Sequence, residues 1–572
     1  MNKNLTASLI KDIEPGAESS NPGFIGDVNG NLLFTTFNPP VNGLTTQLWK
    51  TDGSEAGTVL VSDFGNNSFP PSSVAIIDNA VYFLLNTSFT SLSLFRSDGT
   101  ESGTITVDGA NLRLGESINN LTAVGDSLFY TATTGSSSLL RERLFRIDNN
   151  ISEPVLIQPE SGGGIPSDLI GVGNTLFFSD SFELVDGSPD IELWKSDGTD
   201  AGTVLVKDIN PNDSSNPDLF ADVNGTLFFS AEDGTNGREL WKSDGTEAGT
   251  VLIKDINPGS DSSISRTPFT APMSNSGSKF ADVNGTFYFV ADDGTKGNEL
   301  WKSDGTNSGT DLVKDISLGS EGSNLDNLTN VNSTLFFTVN DGSNGTELWK
   351  SDGTESGTVL VKDINGGENS SNSIILLIFY VILYFTVYVG TNVFDLWKSD
   401  GTTDGTVLVD DINSGSASSD PGGLTVFSDE LYFSADDGIN GRELWGLTEG
   451  GTKPNQDLIL GGDSNDILEG KERDNIIDGL QGDDTLTGGA GKDKFVLSDD
   501  FGSDVITDFS LGEDEIVNAT SRIVLTVAAI GDAVNVAFSN TGDVLRVNFN
   551  SNEQSELENY LLNLDSNQAL PY

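Results

Sequence analysis

The sequence predicts an all-β protein: a β-propeller of about nine four-stranded blades closed by the N-terminal strand, then a parallel β-roll and a small β-rich C-terminal cap. Three observations predict it. The phrase ELWKSDGTESGTVLVKDI (347–364) has near copies at 192–209 and 239–256; short β-rich runs within each unit are punctuated by Asn-Gly and Asp-Gly; and beyond residue 450 the period drops to nine. The expected domains are therefore 1–450, 451–498 and 499–572.

Aligned on its aromatic residue, the phrase gives Trp49, Phe95, Phe145, Trp194, Trp241, Trp301, Trp349, Trp397 and Trp445, with successive differences of 46, 50, 49, 47, 60, 48, 48 and 48. The one long interval holds an insertion within 258–279, a polar Ser/Asn/Pro stretch that reads as a loop. A period of about 40 to 50 indicates propeller blades or helical solenoids. Local pattern selects strands: in LFADVNGTLFFSAEDGTNGRELWKSDGTEAGTVLIKDI (219–256) the segments VNGT, DGTNG and SDGTEAG separate the apolar runs. Asn-Gly and Asp-Gly populate the positive-φ positions of tight hairpins, so each unit reads as a four-stranded meander.

The termini complete one another. SLIKDI (8–13) matches the last strand of a unit, and the ninth unit stops after GRELWGL (441–447) without that strand. Pairing the two would hide an open sheet edge. Nine blades exceed the usual range of about four to eight, so a distorted ring or an open arc stands beside a closed ring as an alternative.

Composition narrows the chemistry. Lys and Arg total 29 against 86 Asp and Glu, a formal charge of -57, which repels phosphate backbones and excludes nucleic acid as a partner. With no Cys and no His there are no disulfides, no thiolate chemistry, no His-ligated metals and no Ser-His or Cys-His relay. Oxygen ligands remain, the set that calcium prefers. MNKNLTASLIKDIEPG lacks the apolar segment of a cleaved secretory signal. The longest apolar run, IILLIFYVILYFTVYV (374–389), has 16 residues, short of the ~20 that span a bilayer. A shift of 48 lays LYFTV (383–387) on LFFTV (335–339), so the run is expected to be a buried strand and no membrane span is expected. Phe379 to Ile382 replace the turn VNST (331–334).

These repeats resemble the ELWxxDGT repeat family of bacterial proteins over about residues 8 to 447, a resemblance that implies a secreted or surface scaffold. The Asp of this SDGT-type turn, always before Gly, recurs as Asp52, Asp98, Asp197, Asp244, Asp304, Asp352 and Asp400, with Gly-Thr five residues on. This resembles the Asp-box turn of sialidase-type propellers. An Asx-type turn explains the spacing without a metal, and seven equivalent copies argue against catalysis.

GGDSNDILE (461–469), GKERDNIID (470–478), GLQGDDTLT (479–487) and GGAGKDKFV (488–496) fit G-G-x-G-x-D-x-U-x, with QDLIL (456–460) the tail of a degenerate copy. The pattern is similar to the RTX, or hemolysin-type, calcium-binding repeat. Glycines turn the chain with carbonyls inward, the sixth-position acid adds carboxylate oxygens, and the eighth residue enters a core. Two nonapeptides make a turn, so residues 18 apart stack at roughly 4.8 Å. Calcium is expected between Asp466 and Asp484 on one side, with Asn475 between Asp457 and Asp493 on the other. The candidate metal residues are Asp457, Gly462, Ser464, Asp466, Asn475, Gly482, Asp484, Gly489, Gly491 and Asp493. Asn475 lacks a charge and GKER (470–473) lacks two glycines, so about two or three ions are expected. Ile459, Leu468, Ile477, Leu486 and Phe495 are the expected core.

FGSDVITDF (501–509) and LGEDEIV (511–517) resemble the cap of RTX proteins, and 556–564 reads as a short helix. The resemblance implies type I secretion to the extracellular space. The expected function is a secreted calcium-binding repeat protein whose propeller presents loops to an extracellular glycan or protein ligand, without enzyme activity. The alternative is a carboxylate-based glycan hydrolase or lyase, since two acids suffice for sugar chemistry. Asp186, Asp190 and 141–143 read as loop charges and supply no catalytic pair.

Overall fold

The computed structural model describes residues 5–38, 45–66, 68–77, 79–107, with 89 and 90 excepted, 118–134, 141–148, 154–157, 164, 166–183, 189–265, 278–367, 369–371, 376–379, 382–389, 393–414, 417–428, 430–449, 456–461, 465–470, 474–489, 491–498, 501–511, 514–518, 524–530, 533–538, 544–548, 557, 560 and 561. It has two compact units, 6–447 and 448–572 with residues 1–5.

The larger unit is a propeller of nine four-stranded antiparallel sheets. In blade 5, Asp218–Val223, Thr226–Glu232, Arg238–Ser243 and Val251–Lys254 pair in sequence order, with Phe229 opposite Trp241 and Trp241 opposite Leu252. Alternate side chains of a strand point to opposite faces. Thus Leu227 and Phe229 pack with Phe177 and Leu193 of blade 4, while Phe228 packs with Phe287 and Trp301 of blade 6. A blade buried on both faces explains why its second strand is an unbroken apolar run.

The ring is closed. Leu5–Lys11 pairs beside Arg442–Glu449 as the outer strand of the ninth sheet, and Leu32 and Phe34 of blade 1 share a core with Tyr432 and Leu444 of blade 9. This overturns the open arc. The apolar run supplies the first hairpin of blade 8: Leu376–Phe379 pairs antiparallel with Ile382–Val389, Phe379 opposite Ile382. Tyr380 and Val381, which stand between these two strands in place of the central letters of VNST, lie outside the described residues. Among the described residues no helix is long and apolar enough to cross a membrane.

Two charged letters of the repeated phrase join successive blades. The Glu of ELW is buried and grips the linker to the next blade: Glu239 accepts from Ile256 N at 3.0 Å, Ser263 N at 3.1 Å and Ser263 Oγ at 2.5 Å, and Glu192, Glu347 and Glu443 do the same. Burial pushes Glu192, Glu239 and Glu347 up to about 7 and Glu443 to about 6. The Lys of KDI reaches the following blade, where Lys207 donates to Thr250 O at 2.7 Å with its ammonium 5.9 Å from the Trp241 ring. Lys11, Lys314 and Lys362 repeat this latch.

The smaller unit contains the roll. Gln456–Leu460, Asp474–Asp478, Lys494–Leu497 and Glu515–Asn518 form one parallel sheet. The facing sheet begins with Ile467–Glu469, Thr485–Thr487 and Val505–Ile506 and ends in Val544–Asn548, Ala533–Phe538 and Val524–Ile530. Ile477, Leu486 and Phe495 are fully buried between the sheets, with Ile459 and Leu468 packed against them. Leu557, Tyr560 and Leu561 are helical and close this core.

Candidate metal centre

The stacking interval in the roll is 18 residues: Asp457 lies beside Asn475, Leu468 beside Leu486, and Ile477 beside Phe495. The sixth-position acids are thereby carried into two ladders. On one, Asp466 N donates to Asp484 Oδ1 at 2.8 Å and Asp484 N to Asp504 Oδ1 at 3.0 Å. On the other, Asn475 N donates to Asp493 Oδ1 at 2.8 Å and Asp493 N to Asp514 Oδ1 at 3.0 Å. Each carboxylate thus gives one oxygen to the rung before it.

Glycine is required where these acids pack. A Cβ on Gly479 would stand 2.2 Å from Asp484 Oδ2, and one on Gly488 would stand 2.3 Å from Asp493 Oδ2. Gly482, Gly489 and Gly491 have φ of 135°, 89° and 140°, a region that disfavours side chains. Gly461 and Gly470 approach the carbonyls of Gly479 and Gly488, where a Cβ would sit 2.4 and 2.1 Å away.

The remaining carboxylate oxygens decide the chemistry. Asp484 Oδ2 and Asp504 Oδ2 are buried and accept no hydrogen bond. Burial, reinforced by the charges of Asp484, Asp478 and Asp483, pushes Asp504 up to about 8; burial and neighbouring acids also raise Asp484. Buried anions crowded by anions call for a cation, and a donor set of carboxylate oxygens fits a hard divalent ion of the calcium type.

Of the residues proposed from sequence, Asp466 and Asp484 share one ladder, and Asn475 and Asp493 share the other. Gly482, Gly489 and Gly491 turn the chain between rungs. Gly462 and Ser464 lie outside the described residues, as does the side chain of Asp457. Asn475 is more than a neutral substitute: its Nδ2 donates to Gly488 O at 3.0 Å and Asp493 Oδ1 at 2.9 Å, tying the rungs through hydrogen bonds.

Sequence reading missed Asp504 and Asp514. The roll continues past its nonapeptides, with Leu486 beside Ile506 and Phe495 beside Ile516, at intervals of 20 and 21 residues. The signal was present in acid-x-apolar triplets: Asp504-Val505-Ile506 repeats Asp484-Thr485-Leu486, and Asp514-Glu515-Ile516 repeats Asp493-Lys494-Phe495. Longer turns broke the nine-residue period without breaking the stack. Asp508 serves the turn itself, accepting from Gly488 N and Gly489 N at 2.8 Å each.

The repeated aspartates of the propeller belong to their own turns. Asp244 Oδ1 accepts from Thr246 N at 2.8 Å and Thr246 Oγ1 at 2.7 Å, and a Cβ on Gly249 would stand 2.0 Å from the same oxygen. The Thr hydroxyl bonds hold Asp98, Asp197, Asp244, Asp304 and Asp352 below the usual carboxylate range.

Residues 460–495 match the RTX calcium-binding nonapeptide repeat in four copies. This segment is a calcium-binding repeat array, set on the parallel roll described above. No curated protein sequence matches the chain. Among solved structures, the chain is similar to a puromycin hydrolase at 12% identity, covering 69% of this chain and 62% of that one with a TM-score of 0.33. A prolyl endopeptidase shares 12% identity over 70% and 56% of the two chains, TM-score 0.36. The acylaminoacyl peptidase of Pyrococcus horikoshii shares 11% over 78% and 61%, TM-score 0.33. The chain thus spans less than two thirds of the length of each.

Proposed function

We propose that the protein is a secreted calcium-binding repeat protein in which the roll folds on calcium outside the cell and the propeller is a non-catalytic scaffold of the ELWxxDGT type. The observation that carries this is the conjunction of four nonapeptide copies with buried, unpartnered carboxylate oxygens at Asp484 and Asp504. RTX arrays are typical of secreted proteins, and calcium at extracellular concentration, ~1 mM, would saturate sites with Kd near 0.1 mM, roughly. In the propeller, the recurrent acids serve turns and linkers, which supports binding of a glycan or protein ligand over hydrolysis. Asp190, Glu192 and Asp208 place carboxylate oxygens within 4.8 Å of one another, closer than the roughly 5 to 9.5 Å that separates glycosidase acid pairs; the reading gives them no hydrolytic role.

The test is a calcium titration of the full chain, with magnesium as control, following hydrogen exchange of residues 456–518. Protection arising cooperatively near millimolar calcium, and lost in Asp484→Ala, is expected. Equal exchange with and without calcium would overturn the reading.

A further inference from the structure

Blade 4 departs from blades 5, 6, 7 and 9 at one position. Four residues before the blade tryptophan, blades 5, 6, 7 and 9 have Gly237, Gly297, Gly345 and Gly441. Backbone crowds each of them: an added Cβ would lie 2.6 Å from Asp261 O, 2.5 Å from Gly322 N, 2.7 Å from Asn369 O and 2.5 Å from Glu18 O, respectively. Blade 4 has Asp190 there. It is no loop charge: Asp190 lies in the strand Pro189–Ser196, opposite Phe182, with a relative exposure of 0%. Asp186 lies outside the described residues.

Both carboxylate oxygens of Asp190 are buried and accept no hydrogen bond. The charged groups that act on it, Asp208 and Asp213, are both acids. Its neighbours Glu192 and Asp208 complete a group of three carboxylates with ligand oxygens within 4.8 Å of one another. Equivalents of the last two recur in other blades, as Glu239 with Asp255 and Glu347 with Asp363; the third acid is what blade 4 adds. Glu192 is already engaged by Ile209 N, Ser215 N and Ser215 Oγ, so it contributes charge and a fixed wall. Asp190 has two uncommitted oxygens, and Asp208 is exposed, giving the cluster a mouth to solvent.

We propose that Asp190 and Asp208, backed by Glu192, form a divalent-cation site of the calcium class in blade 4, separate from the roll. An oxygen-only site whose donors lie within 4.8 Å of one another suits metal–oxygen bonds of roughly 2.3 to 2.6 Å, and a cation relieves a buried carboxylate that has no donor. The ion ties the third strand of the blade to the segment leading to blade 5, since Asp190 lies on Pro189–Ser196 and Asp208 directly follows the neighbouring outer strand Val204–Lys207. It makes blade 4 a second place where calcium controls the protein.

Equilibrium dialysis of the full chain against calcium counts ions per chain. Asp190→Gly, which installs the residue that blades 5, 6, 7 and 9 carry, is expected to bind one ion fewer than the parent, while Asp484→Ala loses roll ions and leaves the blade 4 ion in place. Terbium provides an independent readout, because all 7 tryptophans lie in the propeller and Trp194 is on the same strand as Asp190. Tryptophan-sensitised emission is expected to weaken in Asp190→Gly and in the exposed-site variant Asp208→Asn, each raising the apparent Kd roughly tenfold or more. An ion count unchanged in Asp190→Gly overturns the proposal. Should that variant fail to fold, sensitised emission in Asp208→Asn equal to that of the parent overturns it.

Discussion

The propeller and the roll use aspartate in opposite ways. In blade 6, Asp304 accepts bonds from Thr306 N and Oγ1 of its own turn, and the turn is complete in itself. In the roll, Asp484 gives Oδ1 to Asp466 N and buries Oδ2 without a donor, while Asp504 does the same one rung on. A carboxylate matched by local N–H and O–H groups stabilises a fold unaided. One aimed at other carboxylates makes folding conditional on a cation. The same residue type therefore closes the repeated turns of the ring on their own and, in the function proposed above, leaves the roll waiting on a cation.

Calcium removal is the strongest way to break this contrast. Three sites with Kd near 0.1 mM in 1 mM calcium contribute about 4 kcal/mol by mass action, a large part of a domain's usual stability of about 5 to 15 kcal/mol. A chelator is expected to abolish hydrogen-exchange protection in 456–518 while blades 5 to 7 keep theirs. Simultaneous loss in both regions would mean that the ring also depends on the roll's ions.

Within the propeller, the interblade glutamates carry the largest single-residue effect. Glu239→Ala strands Ile256 N and the Ser263 hydroxyl in a buried joint and leaves Ser263 N only its bond to Arg238 O, and is expected to cost about 3 kcal/mol, measured by denaturant unfolding at constant calcium. Glu239→Gln keeps acceptor oxygen in place and is expected to cost less. Should the two variants match, the carboxylate would be filling space and not clamping the linker.

Those glutamates also predict a pH dependence opposite in sign to that of the turn aspartates, whose own window lies below 3.8. Glu239 and Glu347 are pushed from 4.5 up to about 7 and Glu443 to about 6. A raised acid holds its proton in the folded state after the unfolded chain has released it, so stability falls as pH rises from 4.5 toward 7. The change is on the order of 1 to 3 kcal/mol per glutamate. The propeller is expected to be more stable at pH 5 than at pH 8, with the slope reduced in Glu239→Gln. A flat profile across this range would show that the linker donors hold these groups ionised.

How much of this was legible follows from what each feature leaves in the sequence. Asp-Gly turns, the aromatic spacing and the complementary termini specify blades because each depends on local backbone sterics or on a single alignment. The glycine-and-acid nonapeptide specifies a roll for the same reason, and Leu468 stacks 18 residues from Leu486 as the period requires. Asp504 and Asp514 escaped because their rungs use longer turns, so only a three-residue echo remained. Asp190 was read as a loop charge because its burial depends on the linker folding over it, a tertiary fact that no local pattern encodes. The Glu of ELW had the same invisibility, since a glutamate between polar and apolar letters looks like an exposed strand residue until the next blade supplies its donors.

The smallest effect provides the sharpest check on the comparison. Asp304→Asn preserves an oxygen that can accept from Thr306 N, whereas Gly309→Ala places a Cβ 2.1 Å from Asp304 Oδ1. The glycine variant should lower the melting temperature more than the asparagine variant, because it forces the carboxylate out of its turn while the other only removes charge. Neither should change the number of calcium ions bound. A lost ion in Asp304→Asn would place metal chemistry in the repeated turns as well, and the contrast between self-satisfied turns and an ion-dependent roll would have to be redrawn.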